Sequence, residues 1–230
     1  MIEAGSDIVL DWGRRARTGL AEAVLCEQKS TEQIARIVVE AHTRGERLLL
    51  TRLSAERLTD LPPATRVLID HDPVSRTGLV GQAPEPVDLG AAIVCAGSSD
   101  WPVATEAQRA LLADGVAAPI YGDVGVAGLW RLMNRLPDLA DRHVVIVVAG
   151  MEGALFSVLA GLVPALVIAV PTSVGYGVAG GGRAALSSAL ASCAPGLVTV
   201  NIDNGFGAAM AALKILRGNA QHQQEHGETP

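Results

Sequence analysis

From residue 90 onward, short apolar runs alternate with stretches of helical periodicity. Each run is bounded by Gly, Pro or polar residues and is apolar throughout, which is typical of strands covered on both faces. Five strands are predicted, at Ala91–Ala96, Ala117–Tyr121, Val144–Ala149, Leu166–Val170 and Val198–Ile202. Helices are predicted near Pro102–Leu112, Val126–Leu136, Gly153–Gly161, Arg183–Ser192 and Phe206–Leu216. This order predicts an α/β fold with a doubly wound parallel sheet in three layers.

The residues before this repeat are more charged and predict a small α/β N-terminal domain. Ser30 and Gln33 have capping-box spacing and open an amphipathic helix, Thr31 to Arg44. The other predicted elements are a loop at Asp11–Gly19, strands at Arg47–Thr51 and Val67–Asp70, and a short helix at Ser54–Leu58. Residues 71–89 contain several prolines and glycines and predict a linker. We therefore divide the chain into an N-terminal domain (1–70), a linker (71–89), a nucleotide-binding catalytic domain (90–218) and a polar tail (219–230) predicted to be disordered.

Charge and cysteine content exclude several classes of protein. The net charge is −6 and the sequence pI is about 5.3, which argues against a nucleic-acid-binding protein because such proteins carry a basic surface. Three cysteines without paired spacing fit neither a disulfide framework nor a zinc site, and they favour the reducing cytoplasm. No basic segment followed by an apolar stretch opens the chain, so no signal peptide is predicted.

The segment Gly153–Gly182 has 30 consecutive residues without Asp, Glu, Lys or Arg. A membrane-spanning helix needs about 20 predominantly apolar residues, so this length alone permits a span. Seven glycines, with Pro164 and Pro171, divide the segment into a helix, a strand and a glycine-rich loop. We therefore expect no association with a membrane.

Residues that follow each predicted strand are candidates for a binding site, because ligands of parallel α/β sheets bind beyond the carboxyl ends of the strands. Every strand is followed by glycine together with small polar or acidic residues. These candidates are Gly97, Ser98, Ser99, Asp100, Asp123, Gly150, Met151, Glu152, Thr172, Ser173, Gly175, Asn201, Asp203 and Asn204.

Each chemical interpretation of these residues has a structural alternative. The amides and hydroxyls of Gly97–Asp100 suit a phosphate group, and the same residues suit helix capping. Glu152, among Gly, Ala and Met, suits proton transfer, or it interacts with a helix dipole. Asp100, Asp123 and Asp203 suit a magnesium ion, or they serve as turn residues. Cys193, before a Pro-Gly turn, is either a nucleophile facing a cleft or a structural residue.

Longer segments together resemble one family. Gly97–Pro102 (GSSDWP) resembles the phosphate loop of PurE-type aminoimidazole ribonucleotide carboxylases. Five further segments are similar to the LarB family, the nickel-pincer nucleotide cofactor biosynthesis proteins, and Arg14–Gly19 with Glu22 resembles that family's first segment. These five are Tyr121–Leu129 (YGDVGVAGL), Val148–Leu155 (VAGMEGAL), Val170–Gly177 (VPTSVGYG), Ser192–Gly196 (SCAPG) and Val200–Ala208 (VNIDNGFGA).

The resemblance implies a PurE-like, flavodoxin-like catalytic domain and a carboxylase that is also a phosphoanhydride hydrolase. Its expected substrates are nicotinic acid adenine dinucleotide and CO2 or bicarbonate. Its expected products are AMP and pyridinium-3,5-biscarboxylic acid mononucleotide, a precursor of the lactate racemase cofactor. The resemblance further implies Cys193 as the nucleophile that adds to the ring, Glu152 as the base that removes the ring proton, Mg2+, and a homo-octamer or other homo-oligomer. The metal ligands stay open, with Asp100 and Asp123 as candidates.

The chain departs from the family's pattern at Trp130, where many relatives have His, and at Phe156, where a smaller residue is usual. PurE-type enzymes rely on a histidine after the second strand, where this chain has Tyr121-Gly122-Asp123. A PurE-like purine carboxylase or mutase is therefore the weaker alternative, and a non-catalytic nucleotide-binding module is another.

Overall fold

The computed structural model describes residues 7–226, with side chains described as far as residue 218. The chain forms two compact units that divide between Pro84 and Glu85. This division lies within the segment 71–89 that the sequence predicts as a linker.

The N-terminal unit contains a four-stranded mixed sheet. In spatial order its strands are β1 (Ala23–Leu25), β2 (Leu48–Thr51), β4 (Thr77–Val80) and β3 (Ile69–Asp72); β1 and β2 are parallel and the other pairs are antiparallel. Its helices are α1 (Arg14–Thr18), α2 (Thr31–Arg44), α3 (Ala55–Asp60) and α4 (Pro63–Arg66). The predicted capping box is confirmed, since Gln33 N donates to Ser30 Oγ at 3.2 Å and Ser30 N donates to Gln33 Oε1 at 2.9 Å.

Three expectations for this unit are wrong. Residues 71–89 are not a linker, because they include the second half of β3 and the whole of the buried strand β4. A four-residue strand is too short to show a periodic pattern, and Gly78 suggests a break in the chain. Gly78 nevertheless lies within β4, where glycine is needed because a Cβ at this residue would lie 2.6 Å from Ile69 Cγ2. The predicted strand at Val67–Asp70 begins two residues later, after α4. The predicted loop at Asp11–Gly19 contains α1.

The C-terminal unit contains the predicted doubly wound sheet. Its strands β6 (Ala91–Cys95), β8 (Ile120–Tyr121), β9 (Val144–Ala149), β10 (Leu166–Pro171) and β11 (Leu197–Thr199) are all parallel, in the order β8-β6-β9-β10-β11. A separate pair joins β5 (Val87–Asp88) to β7 (Val116–Ala117). The helices are α5 (Trp101–Ala113), α6 (Leu129–Met133), α7 (Ala154–Ala160), α8 (Arg183–Leu190) and α9 (Gly205–His226). Short 3-10 segments lie at Ser98–Asp100, Val126–Gly128, Leu136–Leu139 and Gly177–Gly182, the last of which is interrupted by a kink at Gly180 and Gly181.

The helices cover both faces of this sheet. Helices α7 and α8 pack on the face that presents Val145, Val147 and Val167, while α5 and α9 pack on each other and on the opposite face. All six residues of β9 are buried, as the continuous apolar run Val144–Ala149 predicts.

Several predicted boundaries in this unit differ from the structure. The fifth strand ends at Thr199 rather than Ile202, and the helix predicted at Val126–Leu136 is α-helical only over Leu129–Met133. The second strand is divided into β7 and β8, because Pro119 lies between them and lacks the amide hydrogen that a strand needs. Helix α9 continues to His226, whereas the sequence predicts an aperiodic tail from residue 219; alanine and glutamine are good helix formers and no proline interrupts them. Residues 227–230 of that tail lie outside the described residues. Between residues 7 and 226, none of the helices has the length and apolar character that crossing a membrane requires.

The strand order places a crevice between β6 and β9. The chain passes from β6 outward to β8 and then returns to β9 on the other side of β6, so the connections that leave β6 and β9 diverge. Such a switch point is where open α/β sheets bind ligands.

Candidate functional site

A cavity of about 440 Å³ lies beyond the carboxyl ends of β6 and β9, at this switch point. Seven of the candidate residues line it: Gly97, Ser99, Asp100, Asp123, Gly150, Met151 and Glu152. The cavity is therefore built from the loops that follow the first four predicted strands, the fourth of which contributes Val174. Glu152 itself is exposed, on the loop between β9 and α7.

Asp100 lines the cavity and forms hydrogen bonds that join the ends of three strands. It is 3% exposed, and its carboxylate accepts hydrogen bonds from Thr172 Oγ1 at 2.6 Å and from the Gly97 amide at 3.0 Å. The Gly150 amide also donates to it. Burial raises the pKa of Asp100, and these hydrogen bonds oppose that rise. Both oxygens of this carboxylate are engaged within the fold, which gives Asp100 a positioning role.

The loop after β10 is joined closely to the end of β9. Met151 N donates to the Val174 carbonyl at 2.8 Å. A Cβ on Gly150 would lie 2.2 Å from the same carbonyl oxygen and 2.7 Å from Thr172 Oγ1. Glycine at residue 150 is therefore required by the close approach of these two loops.

Arg131 is a cavity residue that sequence reasoning missed. Its Nη1 lies 2.5 Å from Asp123 Oδ2, and Asp123 itself has a left-handed backbone with φ of 55°. Arg131 is the basic residue among those that line the cavity; the acidic ones are Asp100, Asp123 and Glu152. The signal that could have found Arg131 is its position on α6, the helix that follows the Asp123 loop.

The magnesium candidates do not form a metal site within one subunit. The Asp100 carboxylate already accepts hydrogen bonds from Thr172 and Gly97, and Asp123 forms an ion pair with Arg131. Across the part of the chain that the structure describes, no group of three or more His, Cys, Asp or Glu residues is placed to hold a metal ion.

The remaining strand-end candidates do not line the cavity, and most make contacts within the fold. The Ser173 amide donates to Asp203 Oδ1 at 2.8 Å, and the Asp203 amide donates to the Pro171 carbonyl at 2.8 Å. These bonds join the β10 loop to the turn before α9. Ser98 is exposed in its 3-10 turn, and a Cβ on Gly175 would lie 2.5 Å from the Ala179 carbonyl oxygen. A direct contact between these residues and a substrate stays a prediction.

Asn204 caps helix α9, because its Oδ1 accepts a hydrogen bond from the Gly207 amide at 2.8 Å. Replacing Asn204 with alanine is expected to lower the free energy of unfolding by about 1 kcal/mol, the usual cost of removing such a cap. Asn201→Ala is the matched control, since Asn201 Oδ1 accepts only from the adjacent Ile202 amide. Urea unfolding of both variants checks this: equal losses of stability would contradict the capping role.

Cys193 is exposed and lies on the turn between α8 and β11. It does not line the cavity. The neighbouring Ser192 hydroxyl lies 2.8 Å from the Ser157 hydroxyl on α7. The structure therefore brings Glu152 into the cavity but does not bring Cys193 there within the same subunit.

The two departures from the family pattern have different surroundings. Trp130 is exposed on α6, beside the cavity-lining Arg131, whereas Phe156 is fully buried in the core between α7 and the sheet. Phe156 is therefore a packing residue, and Trp130 adds an aromatic surface beside the cavity.

Comparison with protein families covers both units. A model described as the LarB/PurE-like N-terminal domain matches residues 4–82, and the model for AIR carboxylase matches residues 91–228. The chain belongs to the LarB family, with a PurE-like C-terminal domain. The AIR carboxylase match places that domain among PurE-related carboxylases and mutases.

A curated relative and two solved structures are similar to this LarB-family protein. An uncharacterized protein of Methanocaldococcus jannaschii is 37% identical over 227 residues, which cover 90% of this chain and 83% of the relative. A PurE2 variant of Treponema denticola is 21% identical with a TM-score of 0.39, over 62% of this chain and 96% of that structure. The PurE of Treponema denticola is 19% identical with a TM-score of 0.38, over 59% of this chain and 94% of that structure.

Proposed function

We propose that this LarB-family protein carboxylates the pyridinium ring of nicotinic acid adenine dinucleotide and hydrolyses its phosphoanhydride. The products are AMP and pyridinium-3,5-biscarboxylic acid mononucleotide, and the reaction opens the synthesis of a nickel-pincer nucleotide cofactor. The observation that carries the proposal is the cavity at the β6/β9 switch point, with Glu152 on its wall, in a chain of the LarB family. Its N-terminal unit matches the LarB/PurE-like N-terminal domain and its C-terminal unit matches AIR carboxylase.

The ring must first be made nucleophilic, because a pyridinium carbon and CO2 are both electrophiles. In the proposed first step the Cys193 thiolate adds to the ring, its electron pair forms the C–S bond, and a ring π pair moves onto nitrogen. The resulting dihydropyridine is a neutral enamine. Its nucleophilic carbon attacks CO2, which forms a C–C bond and a carboxylate and returns the positive charge to nitrogen.

Glu152 is the proposed base for the step that restores aromaticity. It takes the proton from the newly carboxylated carbon, and the C–H electron pair regenerates the enamine. The nitrogen electrons then expel the Cys193 thiolate and restore the pyridinium. The sum is one CO2 consumed and one proton released, with no oxidant. The exposed carboxylate of Glu152 on the cavity wall also suits a cationic ring.

Cleavage of the phosphoanhydride needs a group that stabilises negative charge on phosphate. Arg131 supplies a guanidinium on the cavity wall, and Ser99, which also lines the cavity, supplies a hydroxyl donor. Water provides the oxygen of the new P–O bond, the bridging oxygen leaves with AMP, and the water proton passes to solvent. The candidate ligands do not fit a protein-bound magnesium ion, so no step is assigned to one. Mg2+ enters the proposal only as an addition to the assay.

A PurE-like reaction on an imidazole ribonucleotide is the second candidate, favoured by the AIR carboxylase match over residues 91–228. PurE-type chemistry uses a histidine after the second strand. No histidine is present among the described residues that line the cavity, and Gly122 and Asp123 follow β8 instead. The pyridinium reaction is therefore the better-supported candidate.

Mass spectrometry of a single reaction separates these functions. The protein is incubated with nicotinic acid adenine dinucleotide, bicarbonate and Mg2+, and in parallel with the imidazole ribonucleotide and bicarbonate. We expect the first reaction alone to yield AMP together with a mononucleotide that is heavier than nicotinic acid mononucleotide by one carboxylate. Dinucleotide that binds but is not consumed would identify a non-catalytic module, and carboxylation of the imidazole alone would identify a PurE-like enzyme. Omitting Mg2+ and adding EDTA tests the metal requirement.

A further inference from the structure

Two serine hydroxyls join helix α7 to the turn that carries Cys193. Ser157 lies on α7, Ser192 immediately precedes Cys193, and the two serine Oγ atoms are 2.8 Å apart. The Ala194 amide donates to Ser192 Oγ at 3.2 Å. Because a serine oxygen accepts from the amide two residues later, Cys193 is the central residue of a turn closed by a serine side chain. The backbone around the thiol is thereby held at one oxygen atom, and that atom contacts α7.

Backbone hydrogen bonds hold the two ends of this segment. Residues 191–196 lie between α8 and β11, and Cys193 near the middle is exposed. The Ser192 amide donates to the last turn of α8 at 3.4 Å, and the Gly196 carbonyl accepts a bond from β10 at 2.9 Å. Between these points the backbone forms neither helix nor strand. The bond from the Ala194 amide to the Ser192 hydroxyl spans the thiol within this stretch.

Helix α7 also holds the loop that bears Glu152. The next residue, Gly153, precedes α7 and has a left-handed backbone with φ of 64°. A Cβ on Gly153 would lie 2.6 Å from Phe156 Cε2 and 3.2 Å from Ala185 Cα on α8. This loop is therefore packed closely against both helices, and α8 leads directly to the Cys193 turn. The proposed base and the proposed nucleophile are thus attached to one pair of packed helices.

We propose that Ser157 and Ser192 are positioning residues, whose hydroxyl pair fixes the Cys193 thiol in the place from which it adds to the pyridinium ring. This inference rests on the proposed function, because it takes Cys193 to be the nucleophile. A nucleophile must approach its target to about 3–3.5 Å, and a misplacement of about 1 Å can cost about 100-fold in rate. Exposed connecting segments are more mobile than the elements they join, so a nucleophile on such a segment needs contacts that restrict it.

Substitution of the two serines tests the positioning role. Ser192→Ala removes the acceptor of the Ala194 amide together with the partner of Ser157, whereas Ser157→Ala removes only that partner. We expect kcat for carboxylation of the dinucleotide to fall by about 10- to 100-fold in Ser192→Ala and by less in Ser157→Ala, with KM unchanged, because only the thiol is misplaced. Ser192→Thr keeps a hydroxyl and should restore most of the activity. Ser187→Ala, the same change at an exposed residue of α8, is the matched control and should leave kcat unchanged.

Three results would overturn the proposal. The first is wild-type kcat in Ser192→Ala, with urea unfolding to confirm that the variant is folded. The second is an equal loss in Ser192→Ala and Ser192→Thr, because the loss would then not depend on the hydroxyl. The third is a shift in the pH midpoint of Cys193 alkylation in Ser192→Ala, because the hydroxyls would then control the acidity of the thiol rather than its position. We expect that midpoint to stay at the wild-type value.

A spin label on Cys193 gives a readout that does not depend on activity. Cys193 is exposed whereas the other two cysteines are buried, so a thiol-specific label should attach to it. The electron paramagnetic resonance spectrum should show restricted motion in the native chain and in Ser187→Ala, and faster motion in Ser157→Ala and Ser192→Ala. Identical spectra in all four proteins would overturn the positioning role. If both substitutions release the label in a protein that does not consume the dinucleotide, the held turn is supported and the proposed function is refuted.

Discussion

Replacing Cys193 with alanine is expected to reduce carboxylation of the dinucleotide by at least about 1000-fold, because the variant lacks the thiolate that makes the ring nucleophilic. The thiol is exposed on a turn, so its removal should leave the fold intact. Quantifying the carboxylated mononucleotide by mass spectrometry measures the loss, and thermal unfolding confirms that the variant is folded. Turnover at the wild-type rate would refute the nucleophile role.

Cys193→Ser is the matched control for shape. The hydroxyl occupies nearly the same space as the thiol but is a far weaker nucleophile near neutral pH, so this variant should also be inactive. Alkylation gives an independent check. Burial raises the pKa of the Cys26 thiol to about 12 and that of Cys95 to about 11, so these two should resist iodoacetamide near neutral pH. One adduct per chain, at Cys193, is the expected result.

Replacing Asp100 with alanine is expected to lower the free energy of unfolding by about 3 kcal/mol. The substitution leaves the Thr172 hydroxyl and the Gly97 and Gly150 amides without their acceptor, and unsatisfied buried donors carry a desolvation penalty. Urea unfolding measures the loss. Asp123→Asn is the control at the same cavity: the carboxylate is mostly exposed and pairs with Arg131, and asparagine tolerates the left-handed backbone of this residue, so the loss should be under about 1 kcal/mol.

The same carboxyl predicts a pH dependence of stability. Burial raises the pKa of Asp100, so the folded protein holds this proton more tightly than the unfolded chain. The contribution of this group is therefore greatest at low pH and is lost as pH rises from the ordinary aspartate value, about 3.9, through the folded pKa. Asp100→Asn does not titrate, so the difference in unfolding free energy between wild type and this variant should change across that window. A constant difference would contradict the assigned environment.

Local patterns predicted the parts of the fold that local interactions determine. Helix α2 begins and ends where Ser30, Gln33 and Gly45 indicate, because its cap contacts are made by neighbours in sequence. Strand β9 matches Val144–Ala149 because a strand buried on both faces is uniformly apolar. Strand β4 is not apparent from the sequence, because four residues are too few for a periodic pattern and Gly78 within the strand suggests a break.

The sequence predicts which strand ends form the candidate site, but it does not predict how their side chains contact one another. Parallel topology predicts that Gly97, Asp123 and Glu152 meet at one edge, and they line one cavity. It does not predict which side chains the fold itself uses, because Asp100 also accepts a hydrogen bond from Thr172, 72 residues away, which only the folded loops bring near. Arg131 was missed because its pairing with Asp123 depends on the path of the loop before α6.

The hydrogen bonds of Asp100 also bear on the thermodynamics of ligand binding. They hold the loops after β6, β9 and β10 against one another before any ligand arrives. Loops that are already ordered lose little conformational entropy when a ligand binds, so more of the contact energy remains as affinity. Binding to this cavity should therefore proceed without a folding step. The entropy change of binding should come from the water that is released and from the conformational freedom that the ligand loses.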